Sequence, residues 1–110
     1  MEIKETPVFS RRLPDVMDDE EYAFLQFALV ANPQMGVVIP GAGGIRKLRW
    51  AGSGRGKRGG ARVIYFVALA DEQILMLYVY AKNDRGDLSE SQKKALRTVV
   101  EAEYGSRVPI

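Results

Sequence analysis

The sequence predicts an α+β fold: a small antiparallel core sheet, with a short N-terminal strand, packed by two N-terminal helices and a C-terminal helix. Three observations lead there. Val63–Ala70 and Ile74–Ala81 are apolar runs of eight residues, rich in β-branched and aromatic side chains, separated by Asp71-Glu72-Gln73; that is a hairpin pattern. Helix start and stop signals gather before residue 33 and after residue 88. Helices segregated from a consecutive run of strands indicate α+β rather than alternating βαβ units.

Taken in order, residues 2–6 suit a short strand. Thr6-Pro7 then starts a helix, since proline is favoured at the first helical position, and Pro14 limits it to about Arg12 or Leu13. A second helix begins near Asp18, which with Glu21 forms an Asp-x-x-Glu variant of the capping box. The acids Asp18, Asp19, Glu20 and Glu21 suit the positive end of its dipole. From Tyr22 to Ala31 only Gln26 is polar, so this helix is expected to be buried on most sides, ending at Asn32-Pro33. Residues 34–44 form a glycine-rich loop. A strand follows at about Ile45–Trp50, then the loop Gly52–Gly60, then the hairpin. The last helix spans about Ser89–Tyr104, with Ser89 and Gln92 as capping box, an apolar stripe of Leu96, Val99 and Val100, and Gly105 at its C-terminal end. Reading 63–81 as a membrane span instead would set Asp71 and Glu72 near the bilayer centre, at a cost of several kcal/mol.

One hundred and ten residues suit one domain, here 1–110. With no cysteine and no histidine, the thiol nucleophile, the usual general base and the commonest metal ligands are all missing. Chemistry is left to Lys, Arg, Tyr, Asp and Glu, with no cofactor and no metal expected. The charged start MEIKETPVF lacks an apolar signal core, so the cytoplasm is the expected compartment and no membrane partner is expected.

The net charge of +2 conceals an asymmetry. Residues 1–21 hold seven acids and three bases; residues 22–70 hold no acid and seven bases, all between Arg46 and Arg62. Solubilising surfaces mix signs, so a one-signed block reads as the footprint of a polyanion, above all nucleic acid.

Two familiar phosphate motifs fail. Gly54-x-Gly56-x-x-Gly59 matches the dinucleotide fingerprint by letter, but a strand rather than a helix follows it. A Walker A loop would need Gly at position 51 and Ser or Thr at 58, where Ala51 and Arg58 stand. What remains is the loop 52–60, five glycines interleaved with Arg55, Lys57 and Arg58. Glycines let backbone N–H groups approach phosphate oxygens, and the cations neutralise them; read more simply, it is a basic hairpin tip. On the preceding strand Arg46, Leu48 and Trp50 share one face, and Ile45, Lys47 and Arg49 the other. Trp50 suits base stacking or core packing. Arg62, Tyr80 and Lys82 all fall at the open end of the hairpin. A two-residue turn puts Arg62 opposite Ala81 and on the other face from Tyr80 and Lys82; a three-residue turn or a bulge brings all three to one face.

At these residues the chain resembles the RelE/ParE toxin superfamily, and within it the HigB-type branch. The resemblance is carried by Gly41-x-Gly43-Gly44-Ile45-Arg46-Lys47, by Gly54-x-Gly56-Lys57-Arg58-Gly59-Gly60-x-Arg62-Val63-Ile64-Tyr65, and by Tyr78-x-Tyr80-x-Lys82-Asn83-Asp84-x-x-Asp87-Leu88-Ser89. It covers nearly the whole chain and implies a RelE-like fold. It also implies a bacterial toxin that enters the ribosomal A site and cuts mRNA. The partners implied are a small helix-turn-helix antitoxin and, only through that complex, operator DNA. Two departures stand out: Asp84 replaces a frequent Glu, and the histidine that some branches use is absent.

Metal-independent RNA cleavage needs a base for the 2′-OH, charge stabilisation for the phosphorane and an acid for the leaving oxygen. Like-charged neighbours favour a neutral amine, which makes Lys82 the candidate base and Lys57 the second. Arg62 and Arg58 are candidates to hold the transition-state charge, and Tyr80 to orient the 2′-OH or share the proton transfer. Arg46, Lys47, Arg49 and Arg55 are candidate RNA contacts. Two other readings suit the same residues: a ParE-like poison of DNA gyrase, and a non-catalytic RNA-binding module.

Overall fold

The computed structural model describes residues 1–51, 60–84 and 87–105. Among them the chain forms β1 (Glu2–Glu5), α1 (Pro7–Arg12), α2 (Asp19–Ala31), β2 (Val37–Val38), β3 (Arg46–Trp50), β4 (Ala61–Ala68), β5 (Gln73–Ala81) and α3 (Glu90–Tyr104). The strands make one sheet in the order β1-β5-β4-β3-β2. β1 runs parallel to β5, and the other neighbours are antiparallel. This is the α+β arrangement expected, with one addition: β2, a two-residue edge strand, forms inside the segment expected to be loop. Two valines are too short a run for periodicity to reveal.

The helix starts follow their caps. Thr6 Oγ1 accepts from the Phe9 N–H at 3.1 Å and donates to the Leu77 carbonyl at 3.0 Å. The chain therefore leaves β1 at Thr6, and α1 takes over along the edge of β5. Asp18 accepts from the Glu21 N–H at 2.8 Å, and Ser89 with Gln92 forms a complete capping box.

Both faces of the sheet are covered. On one, Phe9, Val16, Met17, Leu25 and Leu29 pack against Leu48, Val63, Tyr65, Ile74, Met76 and Val79. On the other, Val100 and Tyr104 of α3 with Ile39, Ala42, Ile45 and Leu88 cover Ile64, Phe66, Leu75, Leu77 and Tyr80. The 63–81 run is thus a hairpin with helices on both sides. No helix among the described residues is long and apolar enough to cross a membrane.

One expectation is corrected. α2 is not buried on most sides: only Leu25 and Leu29 are buried, while Phe24, Phe27 and Val30 are 55%, 79% and 43% exposed. The sheet offers a helix one contact stripe, and α1 with Val16 and Met17 already fills the rest of that face.

The hairpin turn decides the site. Ala68 pairs with Gln73, so the turn has four residues, Leu69–Glu72, closed by Glu72 in the left-handed region at φ +53°. Pairing continues to Tyr65 opposite Met76, then slips: Ile64 faces Tyr78, and Leu77 is extra. Leu77 and Tyr78 consequently turn to the same face, as a β-bulge requires.

Candidate functional site

The bulge sets which side chains meet at the open end of the hairpin. Beyond it Arg62 stands directly opposite Tyr80, and on the other side Arg62 stands opposite Arg49. Neighbouring strands lie about 4.8 Å apart, so Arg49, Arg62 and Tyr80 form one row across β3, β4 and β5. Without the extra residue Arg62 would face Val79, and Tyr80 would point to the side covered by α1 and α2. Lys82 follows in a single turn of 3-10 helix, Lys82–Asp84, and its N–H donates to the Gly60 carbonyl at 3.1 Å. That places Lys82 diagonally across from Arg62, at a backbone spacing of about 7–8 Å.

Like charges directly opposite in a sheet are destabilising, and Arg49 and Arg62 stand in such a pair. Arg49 and Lys82 are exposed, and Arg62 is half-buried with Nη1 donating to the Ala61 carbonyl at 3.3 Å. Tyr80 is only 2% exposed, its ring set in the apolar layer under α3; of this side chain only the hydroxyl could serve chemistry, and only where it reaches the row. Lys47, on the same face two positions from Arg49, is paired with Asp87 at 3.0 Å. That hydrogen bond holds the Asp87 carboxyl below its ordinary value, with Lys93 and Arg49 adding to the effect.

Sequence reasoning missed Arg12. Its Nε donates to the Val79 carbonyl at 2.8 Å, and its guanidinium lies 4.6 Å from the centre of the Tyr78 ring, which is 5.9 Å from that of Tyr80. A cation–π contact of this kind adds about 0.5–1 kcal/mol at an open site. The signal was a basic pair, Arg11-Arg12, at a helix end; nothing local shows that α1 runs along β5.

Two expected residues lie elsewhere. Arg46 is on the other face, the one covered by α1 and α2, where Nη1 donates to the Gly36 carbonyl at 2.7 Å and the Gln34 carbonyl at 3.3 Å. Trp50 shares that face, packed against the core, with Nε1 buried and without a hydrogen-bond partner among the described residues. Arg55, Lys57 and Arg58 lie outside the described residues. The segment that carries them begins after Ala51 and ends at Gly60, next to the Trp50–Ala61 pair that borders the row.

Residues 39–107, more than half of the chain, match the family described as RelE toxin of RelE / RelB toxin-antitoxin system. The chain belongs to that family. The match includes the whole cation row, Lys82 and the Lys47–Asp87 pair, and omits β1, α1, α2 and β2. This RelE-family protein is a toxin of a toxin–antitoxin system, and its partner is a cognate antitoxin.

Proposed function

We propose that this toxin is a HigB-type, ribosome-dependent mRNA endonuclease that inhibits translation in the cytoplasm. The observation that carries the reading is the row Arg49–Arg62–Tyr80 with Lys82 at its end. In the proposed reaction the Lys82 amine removes the 2′-OH proton. The 2′ oxygen attacks phosphorus, the bond to the 5′ oxygen breaks, and a general acid protonates that oxygen. The products are a 2′,3′-cyclic phosphate and a 5′-OH end. Arg62, with Arg58, bears the charge that builds on the phosphorane, where fixed cations act most strongly; Arg49, Lys47 and Arg55 grip flanking phosphates. Lys57 is the second candidate for the base, and the Tyr80 hydroxyl orients the 2′-OH or, as the acid, shares the proton transfer. Cations alone position a nucleophile poorly, so the ribosomal A site supplies the alignment, which is worth far more than any single side chain. Residues 1–110 act as one toxin domain, neutralised by a helix-turn-helix antitoxin through which alone the toxin reaches operator DNA.

The test is a translation reaction with purified protein in which message 5′ ends are mapped with and without ribosomes. New ends appear with ribosomes and are faint on free RNA. Arg62→Ala and Lys82→Ala each lower cleavage at least ~100-fold, the usual worth of one such group, and abolish growth arrest with circular dichroism unchanged. Tyr80→Phe keeps the ring packing and isolates the hydroxyl. Intact messages on programmed ribosomes would sink the proposal; DNA cleavage complexes in expressing cells would put gyrase poisoning in its place.

A further inference from the structure

Three of the exposed large apolar side chains, Phe24, Phe27 and Val30, lie on the outer face of α2. Ala23 and Ala31, also exposed, complete that face. Helix residues three and four apart are surface neighbours, so these five form one stripe, opposite the buried Leu25 and Leu29. A surface helix normally turns charged and polar side chains to water. Here the acids stop at Glu21, and the sequence from Tyr22 to Ile45 holds no charged residue. A contiguous apolar patch of this kind marks a contact with another macromolecule. It lies on the side of the sheet turned away from the cation row, because α2 packs on Leu48 and Val63 while Tyr80 of the row belongs to the layer under α3.

We propose that α2 pairs through this face with α2 of a second copy of the chain, antiparallel, with the two-fold axis beside Phe27. The stripe is symmetric about that residue: Phe24 and Val30 stand three positions to either side of it, Ala23 and Ala31 four. A two-fold interface requires a surface complementary to itself. Antiparallel pairing sets Phe27 against its own copy, Phe24 against Val30 and Ala23 against Ala31, with the alanines letting the helix backbones approach at both ends. Charge fixes the direction. Asp18, Asp19, Glu20 and Glu21 all stand at one end of α2. Parallel pairing would press two acidic ends together, which is costly, whereas antiparallel pairing sends each acidic end past the uncharged end of the other helix. Phe24 and Phe27 offer roughly 250 Å² of exposed ring surface per copy, well short of the ~800 Å² per partner of a standard interface, so the dimer is weak and depends on concentration. Both cation rows stay open in it.

Sedimentation velocity over a wide concentration range reads the association. The wild type passes from one chain to two as concentration rises. Phe27→Asp sets two carboxylates on the axis and weakens association at least ~30-fold, the scale of a lost interface anchor, while circular dichroism and the melting of dilute protein stay unchanged. Cysteine pairing reads the geometry, since the chain has no cysteine of its own. Under oxidation Phe27→Cys links to itself. Phe24→Cys and Val30→Cys each stay unlinked alone, and a mixture of the two links. A wild type that remains a single chain throughout, or a dimer that Phe27→Asp leaves intact, overturns the proposal. Self-linking of Phe24→Cys and Val30→Cys, the mark of parallel helices, overturns it as well. So does a monomeric wild type whose binding of the antitoxin is destroyed by Phe27→Asp, a result that gives this face to the antitoxin instead.

Discussion

At the residue scale the most consequential side chain outside the cation row is Tyr65. It is buried, and its hydroxyl donates to the Pro33 carbonyl at 2.7 Å and accepts from the Gly36 N–H at 2.8 Å. A Cβ at Gly36 would lie 2.9 Å from the Tyr65 ring and hydroxyl, so glycine there allows the loop after α2 to approach the sheet. Tyr65→Phe leaves both backbone groups without their partner, at a cost of about 1–3 kcal/mol, readable as a lower urea midpoint with an unchanged slope. Arg46 belongs to the same arrangement, since it grips the Gly36 carbonyl. A cation that composition assigns to RNA is here a clasp between a loop and the sheet. Only the parity of β3, known once the buried face is known, separates it from Arg49.

At the scale of elements, α2 shows how far a pattern reaches. The run Tyr22–Ala31 specifies a helix through its caps and apolar content, yet it is apolar nearly all round and so names no face. Leu25→Ala therefore costs about 2–5 kcal/mol, while Phe27→Ser, at a side chain 79% exposed, changes stability by no more than about 0.5 kcal/mol; thermal unfolding of the pair checks this. Most elements were legible in the sequence: the caps at Thr6, Asp18 and Ser89, the hairpin runs, and Gly105 past the last helix. The candidate site was legible in composition and place, as Arg62, Tyr80 and Lys82 at the open end of one hairpin, but not in facing. Facing depends on the turn length and on one extra residue at Leu77, and a bulge inside a run that is apolar on both faces leaves no trace in the alternation. The contribution of Arg12 was hidden for another reason, because it depends on α1 replacing β1 along β5.

At the scale of the whole molecule, charge is segregated. Acids crowd the start of α2, and bases collect on the sheet face under the beginning of α3. Alkali tests the core between them. Burial pushes Tyr65 above the ordinary tyrosine value of 10.0, and burial with the Glu5 hydrogen bond pushes Tyr22 up further. Both groups are raised in the folded state, so their contribution to stability is complete below pH 10 and is lost as pH rises through the folded values. Absorbance titration is expected to show at least two tyrosines ionising later in the folded protein than in urea, and the urea midpoint to fall above pH 10. Finally, the first strand is parallel to β5, with Glu2 and Gln73 in side-chain contact across 71 residues of chain, and Lys4 reaches Glu103 across 99. Nothing near β1 in the sequence can complete its pairing. During synthesis the opening segment must wait until most of the polypeptide has emerged, so a nascent or truncated product has no finished scaffold, and any potency the protein has arrives late, with its closing residues.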